Sequence, residues 1–370
     1  MDIHFAVRRG NLEGVRSEVE RGADVNIPNP FDNGRRPLHC AASMWEFLGL
    51  PIIRFLIEKG ADIHATDTQG LTPLHSAAQY KDLPNVQYLV QQGAEVNARD
   101  NRGNTPLHLA YNRDIARYLL QNRADVNARN DRDETPLHIE ADDDFQIQIA
   151  EELVLYGRAD VNARDQQNRT PLHLVTESRI NSPEAALDFT RLLVENGADN
   201  NARDDHGNTP IQKACEKGIL EVVEYLHRNG ALVNTQNSLG ITPLHRACSD
   251  RNWNIHDIYT ICYLVKHGRA NVNARDHQNA TPLHYTTRFN FCPDRANTTV
   301  QYLVGHGASV RARDNENKTP LDWARENNHT AAVKYLENCE ANQQFKLVLY
   351  CAHNGFLGRK TGRKRSGRRG

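Results

Sequence analysis

The four residues Thr-Pro-Leu-His occur six times in this 370-residue chain, beginning at Thr72, Thr105, Thr135, Thr170, Thr242 and Thr281. Near-copies begin at Arg36 (Arg-Pro-Leu-His), Thr209 (Thr-Pro-Ile-Gln) and Thr319 (Thr-Pro-Leu-Asp). The prolines of the nine copies lie at 37, 73, 106, 136, 171, 210, 243, 282 and 320, between 30 and 39 residues apart. A period of that size marks a repeat too small to bury its own apolar face, so each copy must stack on its neighbours. An array of this kind, rather than two globular domains, is the expectation for the length.

The chemistry of one repeat can be read from its residues. Thr is a helix N-cap whose hydroxyl accepts an orphan backbone N–H, and Pro at the first helical position has no N–H to leave unsatisfied. Leu and small residues follow, as in Leu74 with Ala77 and Ala78, and face a neighbouring helix. A second apolar face recurs at Val86-Tyr88-Leu89, Ala116-Tyr118-Leu119, Val223-Tyr225-Leu226 and Val300-Tyr302-Leu303. Gly60, Gly93, Gly197, Gly230 and Gly307 then suit left-handed helix C-caps. A segment such as GADIHATDTQG (60–70) or GAEVNARDNRG (93–103) extends the chain to an Asp/Asn-x-x-Gly/Asn turn, which needs positive φ.

These motifs resemble the ankyrin repeat family. The resemblance covers residues 1–340 and implies an all-α solenoid with β-hairpin fingers, in a stack of about ten units. A shortened N-terminal unit precedes nine Pro-anchored ones, with units starting near 1, 32, 67, 100, 130, 165, 204, 237, 276 and 314. The last, with Trp323, reads as a capping unit. Residues 341–357, including the apolar run Phe345–Tyr350, form an extension of open structure, and 358–370 read as a disordered basic tail.

Departures from the period are informative. The Thr105 repeat is three residues short around Tyr111-Asn112-Arg113, and Arg123 stands at its C-cap. A non-glycine there costs on the order of 1 kcal/mol in the left-handed region, so this repeat reads as the weakest place in the stack. Extra residues fall near Ile180–Pro183, Arg251–Asp257 and Phe289–Asn297, and a smaller insertion holds Met44, Trp45, Phe47 and Leu48. One extra Arg follows each of Gly157 and Gly268. Loops absorb length at small entropic cost.

Nothing in the sequence spells catalysis. Seven of the 17 histidines (39, 75, 108, 138, 173, 245, 284) are the motif His, and the others form no His-x-x-x-His or His-Glu-x-x-His pair. There is no Cys-x-x-Cys among the seven cysteines, no phosphate loop and no nucleophile elbow, and the Asp-rich turns lack the spacing of a calcium loop. Cys40, Cys215 and Cys248 fall at the small-residue position of a first helix. A non-enzyme without cofactor, metal or small-molecule substrate is expected. The odd cysteine count and the charged N-terminus point to a reducing, intracellular setting, and no run is long enough to span a membrane.

Binding surfaces remain. In the family resembled, finger tips and first helices bind proteins, and the tips here vary on a fixed frame: Thr68/Gln69, Asn101/Arg102, Asp131/Arg132, Gln166/Gln167, Asp205/His206, Ser238/Leu239, His277/Gln278 and Asn315/Glu316. The partner-binding candidates are Gln69, Arg102, Arg132, Gln167, His206, Leu239 and Gln278, with the insertion residues Trp45 and Trp253 read as either core covers or exposed anchors. Among tips, Arg102 and Arg132 stand out because Arg is enriched at hot spots. The acidic cluster Glu140, Asp142, Asp143, Asp144, Glu151 and Glu152 reads as a solvated face or a docking patch for a basic partner.

Charge separates the tail from the body. Residues 358–370 hold seven basic residues and no acid, so 1–357 carry −8 under an overall −1. Arg363, Lys364 and Arg365 fit a nuclear-localisation signal, beside a phosphate-binding arm, a bacterial export signal or a solvated end. Three functions follow. The leading one is a protein-interaction scaffold, cytoplasmic or delivered into a host cytosol, in the style of ankyrin proteins of intracellular bacteria and large DNA viruses. The others are a nucleus-directed regulator whose tail contacts nucleic acid, and part of an ankyrin-containing secreted toxin such as the latrotoxins.

Overall fold

The computed structural model describes residues 2–80, 82–142, 147–177, 182–249, 256–288 and 293–341. The chain divides into two compact units, Met1–Asp205 and His206–Gly370, here called the N-terminal and C-terminal halves. Each half is a helical repeat solenoid in which short first helices pack side by side and longer second helices cover them.

First helices begin at the motif proline: Pro37–Ala42, Pro73–Ala78, Pro136–Asp142 and Pro171–Glu177 in the N-terminal half, and Pro210–Lys217, Pro243–Ala247, Pro282–Thr286 and Pro320–Glu326 in the C-terminal half. All six residues of Pro73–Ala78 are buried. Their partners, such as Leu83–Gln91 and Leu220–Arg228, bury one apolar stripe each, Val86 with Leu89 and Val222 with Val223 and Leu226. A six-residue helix sits far below the length that is stable alone. Burial between neighbours supplies what propensity cannot.

The motif His joins one repeat to the next. His75 Nδ1 accepts the Thr72 backbone N–H at 3.1 Å, and its Nε2 lies 3.1 Å from the Asn104 carbonyl of the following repeat. An Nδ1 that accepts must be unprotonated, so Nε2 carries the proton and donates. The same bonds recur at His39 (to Leu71), His108 (to Glu134), His138 (to Arg169), His245 (to Ala280) and His284 (to Lys318). Gln212 reproduces the pattern in the Thr209 repeat. Its Oε1 accepts from Thr209 N–H at 2.8 Å and its Nε2 donates to the Ile241 carbonyl at 2.6 Å.

Two further motif residues bridge repeats. Asn26 Nδ2 donates to the Gly60 carbonyl while its Oδ1 accepts the Asp62 N–H, and Asn97, Asn162, Asn234 and Asn273 repeat this clasp. Arg129 donates to the carbonyls of Asp133 in its own turn and Arg164 in the next repeat. Arg164 and Arg275 do likewise with Arg203 and Arg313.

The β-hairpin form expected of the fingers is not confirmed. Among the described residues they are turns, with no strand assigned. A finger closes with Asp67 N–H on the Leu71 carbonyl, and each tip meets the next through one backbone bond, such as Asn101 N–H to Gln69 carbonyl. Among the described residues, successive ladder pairs, which would register a strand, do not accumulate.

The length irregularities are absorbed locally. In the short Thr105 repeat the first helix shrinks to a turn over 106–109, and the Tyr111 N–H donates to the Ala78 carbonyl of the preceding repeat at 2.9 Å. Regular repeats end their second helix with a bond from an Ala N–H to the Leu carbonyl five residues back, as in Ala61 to Leu56 and Ala94 to Leu89. Where an extra Arg follows Gly, that loop grows by one: Ala159 bonds Leu153 and Ala270 bonds Leu264. Residues 152–156 widen into a π-helix to accommodate it. The left-handed position passes to the inserted residue, with φ of 58° at Arg158 and 53° at Arg269. Gly157 is needed for space instead, since a Cβ there would lie 2.9 Å from the Leu153 carbonyl oxygen and from Val126.

Two outcomes follow. Gly157→Ala is expected to destabilise by about 1–3 kcal/mol, whereas Arg123→Gly, at φ 68°, gains about 1 kcal/mol by relieving left-handed strain; urea unfolding of both variants checks the opposite signs. Burial, partly offset by the carbonyl acceptor, holds His39, His75, His138 and His284 below the usual imidazole range and takes His108 and His245 down to about 4. The unfolded chain binds the proton first, so their contribution is complete above about pH 6.5 and is lost as pH falls toward 4. Each protonation steepens the loss by about 1.4 kcal/mol per pH unit. His108→Gln is expected to keep pH 8 stability within about 1 kcal/mol and to flatten the fall between pH 6.5 and 4.5, read by thermal melts.

Candidate functional site

Finger tips are built by a carboxylate or amide at the start of each turn. Asp67 Oδ1 accepts the N–H groups of Gln69 and Leu71, and Asp100 Oδ1 those of Arg102 and Asn104. Asn130, Asp165, Asn237, Asp276 and Asp314 do the same for their own tips. The second tip residue therefore has its N–H held by this cap, and its carbonyl accepts from the next finger. In the N-terminal half Gln69, Arg102, Arg132 and Gln167 accept from Asn101, Asp131, Gln166 and Asp205. In the C-terminal half His206, Leu239 and Gln278 accept from Ser238, His277 and Asn315.

The side chains of all seven tip candidates are exposed. First tip residues serve the frame instead: Asn101, Gln166 and Asn315 donate their side-chain amides to the preceding finger's carbonyls. The backbone bonds thus join the candidate tips into a row within each half, with their side chains outside the frame.

One tip escaped the sequence pattern. The first finger runs from Asn29 to Arg35, two residues longer than Asp67–Leu71, and is closed by the same bond, Asn29 N–H to Arg35 carbonyl. Asn29 Oδ1 caps the Phe31 N–H at 3.0 Å, which gives Phe31 the cap held elsewhere by Gln69 or Arg102. The bond to the next finger passes to Asn33, whose carbonyl accepts from Thr68. Phe31 is 97% exposed. The Asn-x-x-x-x-Gly spacing hid it; a search for any capping Asn before a positive-φ Gly would have found it.

Trp45 is 64% exposed, so it does not serve as a buried cover of its local core. It is not brought to the fingers. It lies at the turn between the two helices of its repeat and lines a pocket with Tyr80 and Tyr111. Trp323 caps the last repeat half-buried, its Nε1 donating to Asp314 and its ring edge-on to His284. Trp253, Arg363, Lys364 and Arg365 lie outside the described residues, as do Asp143 and Asp144 and most of the three larger insertions.

The acidic cluster needs a correction at Glu152. This side chain is buried, not solvated, and is clamped by Arg113 Nε at 2.6 Å and by Arg117 Nε at 2.9 Å. The Arg117 guanidinium, with Arg113 adding to it, holds the carboxyl below its usual range against the opposing effect of burial. Glu152 ties the shortened repeat to the π-helix of the next one.

Cys40, Cys215 and Cys248 are buried, and burial pushes their thiols up, so they act as small apolar residues. Among the described residues no group of three His, Cys, Asp or Glu could hold a metal ion. No described helix is long and apolar enough to cross a membrane.

Comparison with known proteins gives the same repeat. A family model described as "Ankyrin repeats (3 copies)" matches residues 3–100, 46–130, 122–204, 184–258, 223–293 and 256–346. Among similar proteins, "Putative palmitoyltransferase ZDHHC13" of Danio rerio is 36% identical over 77 residues, 21% of this chain and 11% of that protein. "Ankyrin repeat domain-containing protein 53" of Homo sapiens is 38% identical over 80 residues, 21% of this chain and 14% of that protein. "Protein phosphatase 1 regulatory subunit 27" of Homo sapiens is 43% identical over 72 residues, 19% of this chain and 43% of that protein. The chain thus spans less than half the length of each of these relatives. With the family model matched from residue 3 to residue 346 and the Thr-Pro-Leu-His seams in place, the chain belongs to the ankyrin repeat family.

Proposed function

We propose that this chain is a non-enzymatic protein-interaction scaffold, with about ten repeats in residues 1–340, and that its partner is read by the second tip residues of the fingers. One observation carries the reading. At these positions the backbone is committed to the frame while the side chain is exposed and differs from finger to finger. Ankyrin repeats support protein partners in general, and one relative is named a regulatory subunit of a protein phosphatase. In the N-terminal half the row offers Phe31 at one end, then Gln69, Arg102, Arg132 and Gln167, an aromatic anchor beside two cations. Aromatic and Arg side chains are the common hot spots of interfaces, so the fitting partner surface is apolar opposite Phe31 and acidic opposite the arginines. In the C-terminal half His206, Leu239 and Gln278 are the candidate contacts.

The basic segment 358–370 favours a second, separable role. Seven cations without an acid, following a body of net −8, suit an import signal at Arg363, Lys364 and Arg365 or a phosphate-contacting arm. This role concerns location, and the fingers concern partner choice.

The test is affinity capture with the full chain, a Phe31→Ser/Arg102→Ala/Arg132→Ala variant, and a chain lacking 358–370. The triple variant is expected to melt unchanged, within about 0.5 kcal/mol per exposed substitution, and to lose the retained protein by at least about tenfold. The truncated chain is expected to retain it. Retention that survives the triple change but disappears without the tail, or in high salt, overturns the finger reading in favour of the tail.

A further inference from the structure

We propose that the pocket between the inter-helix turns of the Pro37, Pro73 and Pro106 repeats holds the trimethylammonium head of a methylated lysine carried by a partner protein. The pocket has a volume of about 430 Å³ and is lined by Trp45, Tyr80 and Tyr111 together with Met44, Gln79 and Asp82, and by Ser43 at its edge. Three aromatic rings from three successive repeats, all partly open to solvent, converge there. They follow the C-terminal ends of the first helices, whereas the fingers precede the N-terminal ends, so this site stands or falls independently of the finger row.

The walls are held in place before any ligand arrives. Asn85 is fully buried, and its Nδ2 donates to the Met44 carbonyl at 2.8 Å and to Asp82 Oδ2 at 3.2 Å, tying the Trp45 turn to the Asp82 turn. Gly49 makes that approach possible, because a Cβ there would sit 2.9 Å from Asn85 Nδ2 and 2.6 Å from the Ala41 carbonyl oxygen. The third wall exists because the Thr105 repeat is short. With its first helix reduced to a turn, Tyr111 is bonded back onto Ala78 and lines the pocket together with Tyr80. The three-residue deletion completes the site.

Charge and solvation select the occupant. Aromatic faces attract cations, most strongly those that lose little hydration on entering. Asp82 is the one charged residue lining the pocket among the described residues; Lys81 lies outside them. Asp82 is 4% exposed and its Oδ2 accepts from Asn85, so it is a carboxylate held in the wall rather than an open acceptor. An ammonium with N–H donors would leave them unsatisfied against the rings, whereas a trimethylated nitrogen has none to satisfy. Phe47, 74% exposed and two residues beyond Trp45, offers apolar surface outside the pocket for the chain that carries the lysine.

The probes are the N-acetyl methylamides of trimethyl-lysine and of unmodified lysine, choline, and an acetylated triproline amide. Each is titrated into the full chain and followed by saturation-transfer and line-width NMR. Trimethyl-lysine is expected to bind at least about tenfold more tightly than lysine and more tightly than choline or triproline. Trp45→Ala and Tyr111→Ala are each expected to weaken it by about tenfold, Trp45→Phe by less than about threefold, and Asp82→Asn to weaken it measurably. Trp45 is exposed, so its variants keep the melting temperature and remain informative should Tyr111→Ala unfold its repeat. Equal binding of lysine, tighter binding of choline or triproline, no binding of trimethyl-lysine, or full binding by a folded Trp45→Ala chain each overturns the proposal.

Discussion

The bond on which the stack depends is the one from a buried, neutral imidazole to the carbonyl of the next repeat. It does two things at once. Nδ1 takes the N–H of the residue that caps its own helix, and Nε2 reaches the finger base of the neighbour. Helix initiation and repeat stacking are therefore coupled in one side chain. A helix of five or six residues cannot persist without its cap, and the cap is aligned only when the neighbour is present. Gln212 shows that the requirement is an acceptor and a donor at opposite ends of a flat group, not an imidazole as such.

Much of this was legible in the sequence. Thr-Pro-Leu-His announced the cap, the first helical turn and the period, and the Asp/Asn-x-x-Gly/Asn spacing announced the tips, because each rests on local backbone chemistry that the residues themselves impose. What was illegible depends on partners distant in the chain. Glu152 looks like one more solvated acid until Arg113 and Arg117, 39 and 35 residues earlier, are seen on it. Phe31 was hidden because its finger is two residues longer than the pattern. Tyr80, and the place of Tyr111 beside Trp45, are illegible in the sequence because sharing one pocket is a tertiary fact. The β-hairpin form is not confirmed for the reverse reason: the turn chemistry is local and legible, but a strand needs consecutive pairs that a single tip-to-tip bond does not supply.

The irregular repeats show where such a fold stores change. An added residue after Gly157 or Gly268 enlarges one terminal loop and keeps the Ala-to-Leu closure. A loss of three residues costs a helix yet gains a bond to the previous repeat and a clasp to the following one. Three of the chain's 35 arginines have a framework role. Arg129, Arg164 and Arg275 each reach two carbonyls, one in their own turn and one a repeat away. In each case one guanidinium nitrogen, Nη1, donates both bonds, so a single donor atom joins two repeats.

The division of labour inside a finger tip has a bearing on how such a chain can change over generations. Each second tip residue contributes its main chain to the lattice and leaves its side chain outside it, so the identity of that side chain carries almost no folding cost. Substitutions there are close to neutral for persistence of the protein and, under the proposed finger reading, change what it meets. The row of tips is thus a set of positions that drift can sample one at a time, while the imidazole seams beneath keep the register in which any new combination is displayed.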